Sequence, residues 1–259
     1  MTASVPARRV TATASVVLAP NPGPMTLEGT NSWVLRGVGA EHCVVVDPGP
    51  LHEGHLSALA TCGPVAVVLL THGHADHSEG AARFAALVGA PVRALDPAHR
   101  LGTEGLGEGD VVAAAGLELR VLGTPGHTAD SLSFVLDDAP AGDGAVLTGD
   151  TVLGRGTTVV AHPDGVLGDY LRSLERLREL GDRTVLPGHG PELASAAAAA
   201  EHYLAHRRER LGQVREAVAA GATTARAVVE AVYADVDRAL WPAAELSVRA
   251  QLAHLGLPA

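Results

Sequence analysis

This sequence predicts a layered α/β fold. From about residue 31 to residue 190, short apolar runs alternate with segments of helical period, the pattern of strands and helices packed as layers. Four of the runs end in a glycine-containing loop that carries histidine or aspartate, and loops at strand ends are where a rigid scaffold places its chemistry. With 259 residues, 47% of them hydrophobic, the chain is long enough for one large domain plus a small appendage.

Residues 8–18 are rich in Val and Thr and alternate loosely, which predicts an opening strand. Asn21-Pro22-Gly23-Pro24 breaks it in a turn-rich loop. Asn31–Leu35 and Cys43–Val46 follow as strands, the second closed by Asp47-Pro48-Gly49. Residues 52–62 suit a helix, and the continuous apolar run 65–70 suits a buried strand. A helix over 78–88 and a short strand over 92–94 come next. The stretch 102–109 is glycine-rich but lacks the spacing and the lysine of a phosphate-binding loop. Residues 111–122 predict a hairpin, and 133–136 and 145–148 two more strands. Leu171, Leu174 and Leu177 mark 170–180 as an amphipathic helix before a short strand at 185–186. The tail predicts helices over 200–220, 224–233 and 239–255, with Thr223 as N-cap of the second.

Composition excludes several classes. All 19 basic residues are arginine, and the net charge is −10. Residues 200–259 carry seven Arg against seven Asp or Glu, so the deficit lies in the body. An acidic body disfavours nonspecific binding to nucleic acid, although bound cations would offset this locally. Cys43 and Cys62 make no disulfide framework, which suits a reduced, cytoplasmic protein. Arg8 and Arg9 are followed by no adequate apolar core, so no signal peptide is expected, and no apolar run is long enough for a membrane span. Monomer and homodimer both remain open.

The chemistry centres on Thr71-His72-Gly73-His74-Ala75-Asp76-His77, which follows the strand at 65–70. A lone histidine is more often a satisfied surface or core residue than a ligand. Three histidines and an aspartate in one loop, with little bulk at positions 73 and 75, reverse that expectation. His127 in Thr124-Pro125-Gly126-His127, Asp150 after Gly149, and His189 in Pro187-Gly188-His189-Gly190 stand at three later strand ends. If these ends meet at one rim, seven ligands converge. That is too many for one tetrahedral zinc with an open position, and it suits two ions sharing a carboxylate. Such a site holds a hydroxide nucleophile at neutral pH and polarises the group under attack, so it predicts hydrolysis. Asp47 is read both as a turn former and as an acid that orients a ligand by hydrogen bonding.

These motifs resemble those of the metallo-β-lactamase superfamily. The resemblance covers about residues 10 to 195 and implies an αββα sandwich with two metals at one edge. It implies His72, His74 and His127 on the first ion, Asp76, His77 and His189 on the second, and Asp150 as the bridge. Asp76 and Asp150 would be the catalytic carboxylates, with Asp76 helping to hold the water. Zinc is the default, while manganese and iron also suit these ligands. One departure is Gly73, where many relatives carry a bulky aromatic. The opening Asn21-Pro22-Gly23-Pro24-Met25-Thr26-Leu27-Glu28-Gly29-Thr30-Asn31 is similar to that of the β-lactamase-like protein 2 group, some of whose members are single-strand endoribonucleases, with fungal thioesterases related to them. The resemblance implies a catalytic domain over 1–198 and a winged-helix-like helical domain over 199–259, with little chain left for a β-wing.

In the tail, Arg207, Arg208 and Arg210 form a basic patch, read either as a solvated helix face or interdomain salt bridges, or as a phosphate or carboxylate contact at the mouth of the site. Tyr233 and Trp241 are expected to be core. His162 is read as a surface residue or a substrate contact. His42, His52, His55, His99, His202 and His254 are expected to be structural or exposed. The function expected is therefore a dinuclear metal hydrolase. Single-stranded RNA is the first substrate and a small-molecule ester or thioester the alternative. A nonenzymatic nucleic-acid-binding regulator is the reading from another class, which would need a basic third helix. Residues 239–255 carry only Arg249 against Glu245.

Overall fold

The computed structural model describes residues 7–137 and 144–258. The outer ends of the two expected domains, residues 1 and 259, lie outside them. Two sheets face each other. The first runs β1 (Arg8–Arg9), β2 (Ala14–Leu18), β3 (Asn31–Leu35), β4 (Cys43–Val46), β5 (Val65–Leu69) and β6 (Val92–Arg93) in that order. It is antiparallel up to β4 and parallel from β4 to β6. The second holds β7 (Val111–Ala114), β8 (Leu117–Gly123), β9 (Leu132–Leu136), β10 (Ala145–Gly149) and β11 (Thr184–Pro187). All its neighbours are antiparallel except the β10–β11 pair.

Side chains alternate across each strand, so a strand covered on both faces reads as an unbroken apolar run. In β4, Val44 and Val46 point between the sheets while Cys43 and Val45 point outward under α1 (Glu53–Ala60) and α3 (Ala81–Val88). In β9 and β10, Phe134 and Leu147 fill the inter-sheet core. Val135 and Val146 pack on the other face under α4 (Leu167–Arg178) and α5 (Ala196–Ala219). The layers are thus helix, sheet, sheet, helix, the sandwich that was expected.

Several boundaries differ from the sequence reading. The opening strand is a hairpin, since Thr11 Oγ1 accepts from the amides of Thr13 and Ala14 and turns the chain. The helix expected over 78–88 divides into α2 (Ala75–Ser78) and α3, because Gly80 turns to pack on the backbone of Gly49 and Pro50. The N-cap of α6 (Ala225–Val232) is Thr224, not Thr223; its hydroxyl accepts from Ala227 N. Helix α5 runs through the division expected at 198/199 and belongs to two cores. Ala200, Tyr203 and Leu204 pack with α4, while Val214 and Ala217 pack with α6 and α7 (Trp241–Leu255). Trp241 is buried there as expected. Among the described residues no strand follows β11, and no helix is long and apolar enough to cross a membrane.

Two stability measurements follow from this packing. Leu204, 2% exposed, ties α5 to α4. Leu204→Ala is expected to cost about 2–5 kcal/mol, read as a lower urea midpoint at unchanged slope. Burial, and then His52, depress the pKa of His55 to about 4 from its ordinary 6.5, and its Nε2 lies 2.9 Å from Ser32 Oγ. The unfolded chain therefore takes up the proton first as pH falls. Stability present above pH 6.5 is lost between 6.5 and 4, by about 3 kcal/mol in all. Denaturation across that window should show this slope in the native chain, and His55→Gln should flatten it.

Candidate metal centre

The ends of β5, β10 and β11 and the loop after β8 meet at one rim of the sandwich. Four of the five histidines there are fixed from behind. The carbonyl of Val159 can only accept, so at 2.8 Å it requires His127 Nδ1 to carry the hydrogen. The carbonyl of Gly29 does the same for His189 Nδ1 at 3.1 Å. Asp47 Oδ2 accepts from His77 Nδ1 at 2.8 Å. Thr71 Oγ1 donates to Asp47 Oδ2 at 2.7 Å, which leaves it an acceptor for His72 Nδ1 at 3.0 Å. In the neutral form of all four rings Nε2 is the lone-pair nitrogen, and all four turn inward. His74, which is exposed, presents Nδ1 instead.

The inward nitrogens crowd one another. His74 Nδ1 is 3.1 Å from His72 Nε2 and from His127 Nε2, and His77 Nε2 is 3.3 Å from His189 Nε2. Asp76 Oδ2 stands 3.1 Å from His189 Nε2 and 3.4 Å from His77 Nε2. Asp150 reaches both groups: Oδ1 is 3.4 Å from His77 Nε2, and Oδ2 is 3.4 Å from His189 Nε2 and 3.7 Å from His127 Nε2. Its Oδ1 is buried without a hydrogen-bond partner. Lone pairs facing lone pairs at these distances repel unless positive charge lies between them. The donors form two sets, each within 4.8 Å: His72, His74, His127 and Asp150, and then Asp76, His77 and His189. Five imidazoles and two carboxylates are a donor set that fits divalent zinc, manganese or iron.

The titration of the rings tells the same story. Burial opposes charge on His77, but Asp150 and Asp47 outweigh it and hold the ring well above its ordinary value. For His189, burial is overcome by Asp150 and Asp76, which raise it to about 9. Burial, then the neighbouring His77, pushes His72 well down; burial likewise lowers His127 despite Asp150. Burial works against ionisation of Asp150, yet His77 and His189 keep it well below the carboxylate range. Asp76 is lowered too, chiefly by His189 against burial. With no ion bound, His77 and His189 therefore carry the positive charge themselves, as a proton that a bound cation would displace.

Close approach of backbone makes the geometry possible. A Cβ on Gly188 would lie 2.5 Å from Asp150 Oδ1 and 2.7 Å from His77 Cε1. A Cβ on Gly73 would meet His99 Nε2 at 2.6 Å, so the tip of His99 stands against this glycine. Asp47 combines both roles read from the sequence. It ends β4 at φ +52°, and its carboxylate also accepts the Thr71 amide at 2.8 Å.

All seven expected ligands come together. Arg207 is buried in the wall of the adjoining cavity, whereas Arg208 is exposed and outside it. His162 is exposed and also outside the cavity wall. Sequence reasoning missed the backs of the rings: Thr71, and the carbonyls of Gly29 and Val159. It also missed the work of the 21–31 loop. There Asn21 Oδ1 accepts the Thr30 amide, Thr30 Oγ1 donates to Asp76 Oδ2 at 3.4 Å, and Asn31 Nδ2 donates to the carbonyls of Pro187 and Gly190. The polar Asn-Pro-Gly-Pro to Gly-Thr-Asn frame was the available signal.

The cavity beside the cluster measures about 610 Å³. His74, Asp76, Asp150 and His189 form its floor. Met25 and Leu27 flank it, and Tyr233, Val236, Leu240 and Ala244 close it from the C-terminal helices. A larger surface groove of about 860 Å³, between Arg9 and Glu192, includes none of the cluster.

Comparison with known proteins agrees with this geometry. Residues 25–189 match the family described as Metallo-beta-lactamase superfamily, and residues 224–256 match the Beta-lactamase associated winged helix domain. The chain is 31% identical over 252 residues to a Beta-lactamase-like protein 2 homolog of Caenorhabditis elegans, covering 92% of this chain and 82% of that one. It is 32% identical over 241 residues to an Atrochrysone carboxyl ACP thioesterase of Aspergillus fumigatus, covering 84% and 72%. A Beta-lactamase domain protein from Burkholderia ambifaria shares the fold at a TM-score of 0.81 and 23% identity, over 98% of this chain and 90% of that one.

Asp47→Asn tests how the rings are held. Asparagine tolerates the same positive φ, but its NH2 must face either the Thr71 amide or the pair Thr71 Oγ1 and His77 Nδ1, all of which donate. Metal affinity, measured by competition with a chromophoric chelator, should fall about 10- to 100-fold while the fold is kept. Unchanged affinity would remove Asp47 from this role.

Proposed function

The chain belongs to the metallo-β-lactamase superfamily of metal-dependent hydrolases, and from the cavity that adjoins its His and Asp cluster we propose that it hydrolyses acyl thioesters. The apolar wall that the C-terminal helices bring over the cluster carries this reading. A cavity of about 610 Å³ suits a small ligand held by mostly apolar side chains with a few fixed polar groups. The likeness to a relative named as an acyl-carrier thioesterase supports the same class.

His72, His74, His127 and Asp150 would hold one ion, and Asp76, His77 and His189 a second, with Asp150 between them. Two such ions supply a water of lowered pKa and polarise the carbonyl under attack. The protein's part is orientation: Asp47, Thr71 and the two carbonyls aim the rings, and Thr30 steadies Asp76. Met25, Leu27 and the C-terminal helices limit water around the acyl group. A thiolate leaves readily, because a thiol has a pKa of about 8.5, so no strong general acid is needed. Two nearby groups are poor candidates for one. Burial, then Arg207 and Arg210, depress His206 to about 4, and the nearby Tyr170 hydroxyl donates to Thr151 O.

Single-stranded RNA, the first substrate expected from the sequence, finds less support. Binding it calls for a basic groove with aromatic platforms for bases. Trp241 is buried, and Tyr233 lies under the Arg210 guanidinium, 4.7 Å from its ring centroid.

A matched panel tests the proposal on metal-quantified protein. Acyl thioesters should turn over, a single-stranded RNA oligonucleotide should stay intact, and two metals should be found per chain. Chelation should abolish turnover, and His77→Ala should lower kcat/KM by about a hundredfold or more. RNA cleavage lost in His77→Ala, without thioester turnover, would replace this substrate with the other.

A further inference from the structure

The C-terminal wall of the cavity holds a cation that no acid answers. Arg207 is 4% exposed, and among the described residues it makes no ion pair. Its Nη2 donates to the carbonyl of Thr158, and its guanidinium lies over the Tyr170 ring, 5.1 Å from the centroid. Its Nε is buried with no partner at all. The next ring, His206, lines the same cavity and has a buried Nδ1 that is equally unpartnered. The acids of the cavity, Asp76 and Asp150, face histidine nitrogens instead. A buried guanidinium with an idle donor is costly unless something completes it. Elsewhere in this chain arginines meet carboxylates in the open, as Arg8 meets Glu192 and Arg83 meets Glu53.

We propose that Arg207, with His206 beside it, receives a carboxylate carried by the acyl group of the substrate, so that the preferred substrates are thioesters of dicarboxylic or otherwise carboxylated acids. The assignment of that carboxylate to an acyl group rests on the thioester reading above. A guanidinium offers paired donors that match the two oxygens of a carboxylate. With His206 neutral at physiological pH, the positive charge of this wall comes from Arg207 and Arg210, and Arg210 is already engaged by Gln213, the carbonyl of Val232 and the Tyr233 ring, which leaves Arg207 as the anchor. The acyl chain would lie between this anchor and the cluster, against Leu153 and Val159.

The test uses full-length, metal-loaded protein and nonhydrolysable thioether analogues of N-acetylcysteamine in pairs. One member of each pair ends in a carboxylate and the other in a methyl group, at several chain lengths. By calorimetry, the best-fitting acid should bind the native chain about 10- to 100-fold more tightly than its neutral partner. Arg207→Gln should bring the two within about threefold without weakening the neutral analogue, and Arg207→Lys should keep part of the preference. The comparison is a ratio, so a variant that merely folds poorly weakens both members and is recognised as such. Equal binding of acid and neutral analogues to the native chain, including none, overturns the proposal. So does a loss in Arg207→Gln shared equally by both, or an Arg207-dependent gain for a dinucleotide but not for the acids. The corresponding thioesters are assayed in parallel. If none is hydrolysed the substrate reading fails, while the calorimetric ratio still decides the anion site.

Discussion

The site depends on the carboxylate of Asp47. It sits at the end of β4 in a left-handed conformation and accepts from the backbone and hydroxyl of Thr71 and from His77. Those three bonds join the end of one strand to the end of the next and to the helix turn that follows. Through Thr71 the same acid sets the tautomer of His72. A left-handed aspartate costs about 1 kcal/mol relative to glycine, and in exchange two rings are fixed at once. The remaining two are set by carbonyls, which cannot fail as acceptors. The inward-facing Nε2 atoms are therefore a consequence of what lies behind them.

The sandwich explains why these parts meet. Strands from both sheets end on the same rim, and the inter-sheet core of Trp33, Phe134 and Leu147 holds their ends in register. Glycine at 188 then lets β11 bring His189 against Asp150 and His77 with no side chain intervening. Charge follows from this proximity. Buried carboxylates and imidazoles of unlike tendency are forced together, and the balance favours cations at the rim.

Much of this was legible because it is local. Four donors within six residues, and three more behind repeated glycine-rich strand ends, are visible in any reading of the chain. The sandwich was legible too, since doubly covered strands leave unbroken apolar runs. What stayed hidden is of two kinds. Backbone acceptors such as Gly29 O and Val159 O have no side-chain signature. The three arginines at 207, 208 and 210 look alike in sequence, but the helix separates them. Position 207 continues the inward face of Ala200, Tyr203 and Leu204, while 208 falls about 100° away. The buried face could have been counted from its apolar spacing, but the cavity that it borders could not.

Helix α5 has a consequence for the cavity. It runs unbroken for 24 residues, with its first half in the core under the second sheet and its second half in the core of the C-terminal helices. A continuous helix of this kind is a beam, not a hinge. The roof over the cluster is carried on that beam. The opposite wall includes the loop holding Met25, itself 48% exposed. The cavity is therefore bounded by two fixed parts, a helical beam on one side and on the other a loop held by Asn21, Thr30 and Asn31, so its width is a property of the fold and not of a swing of one domain against the other.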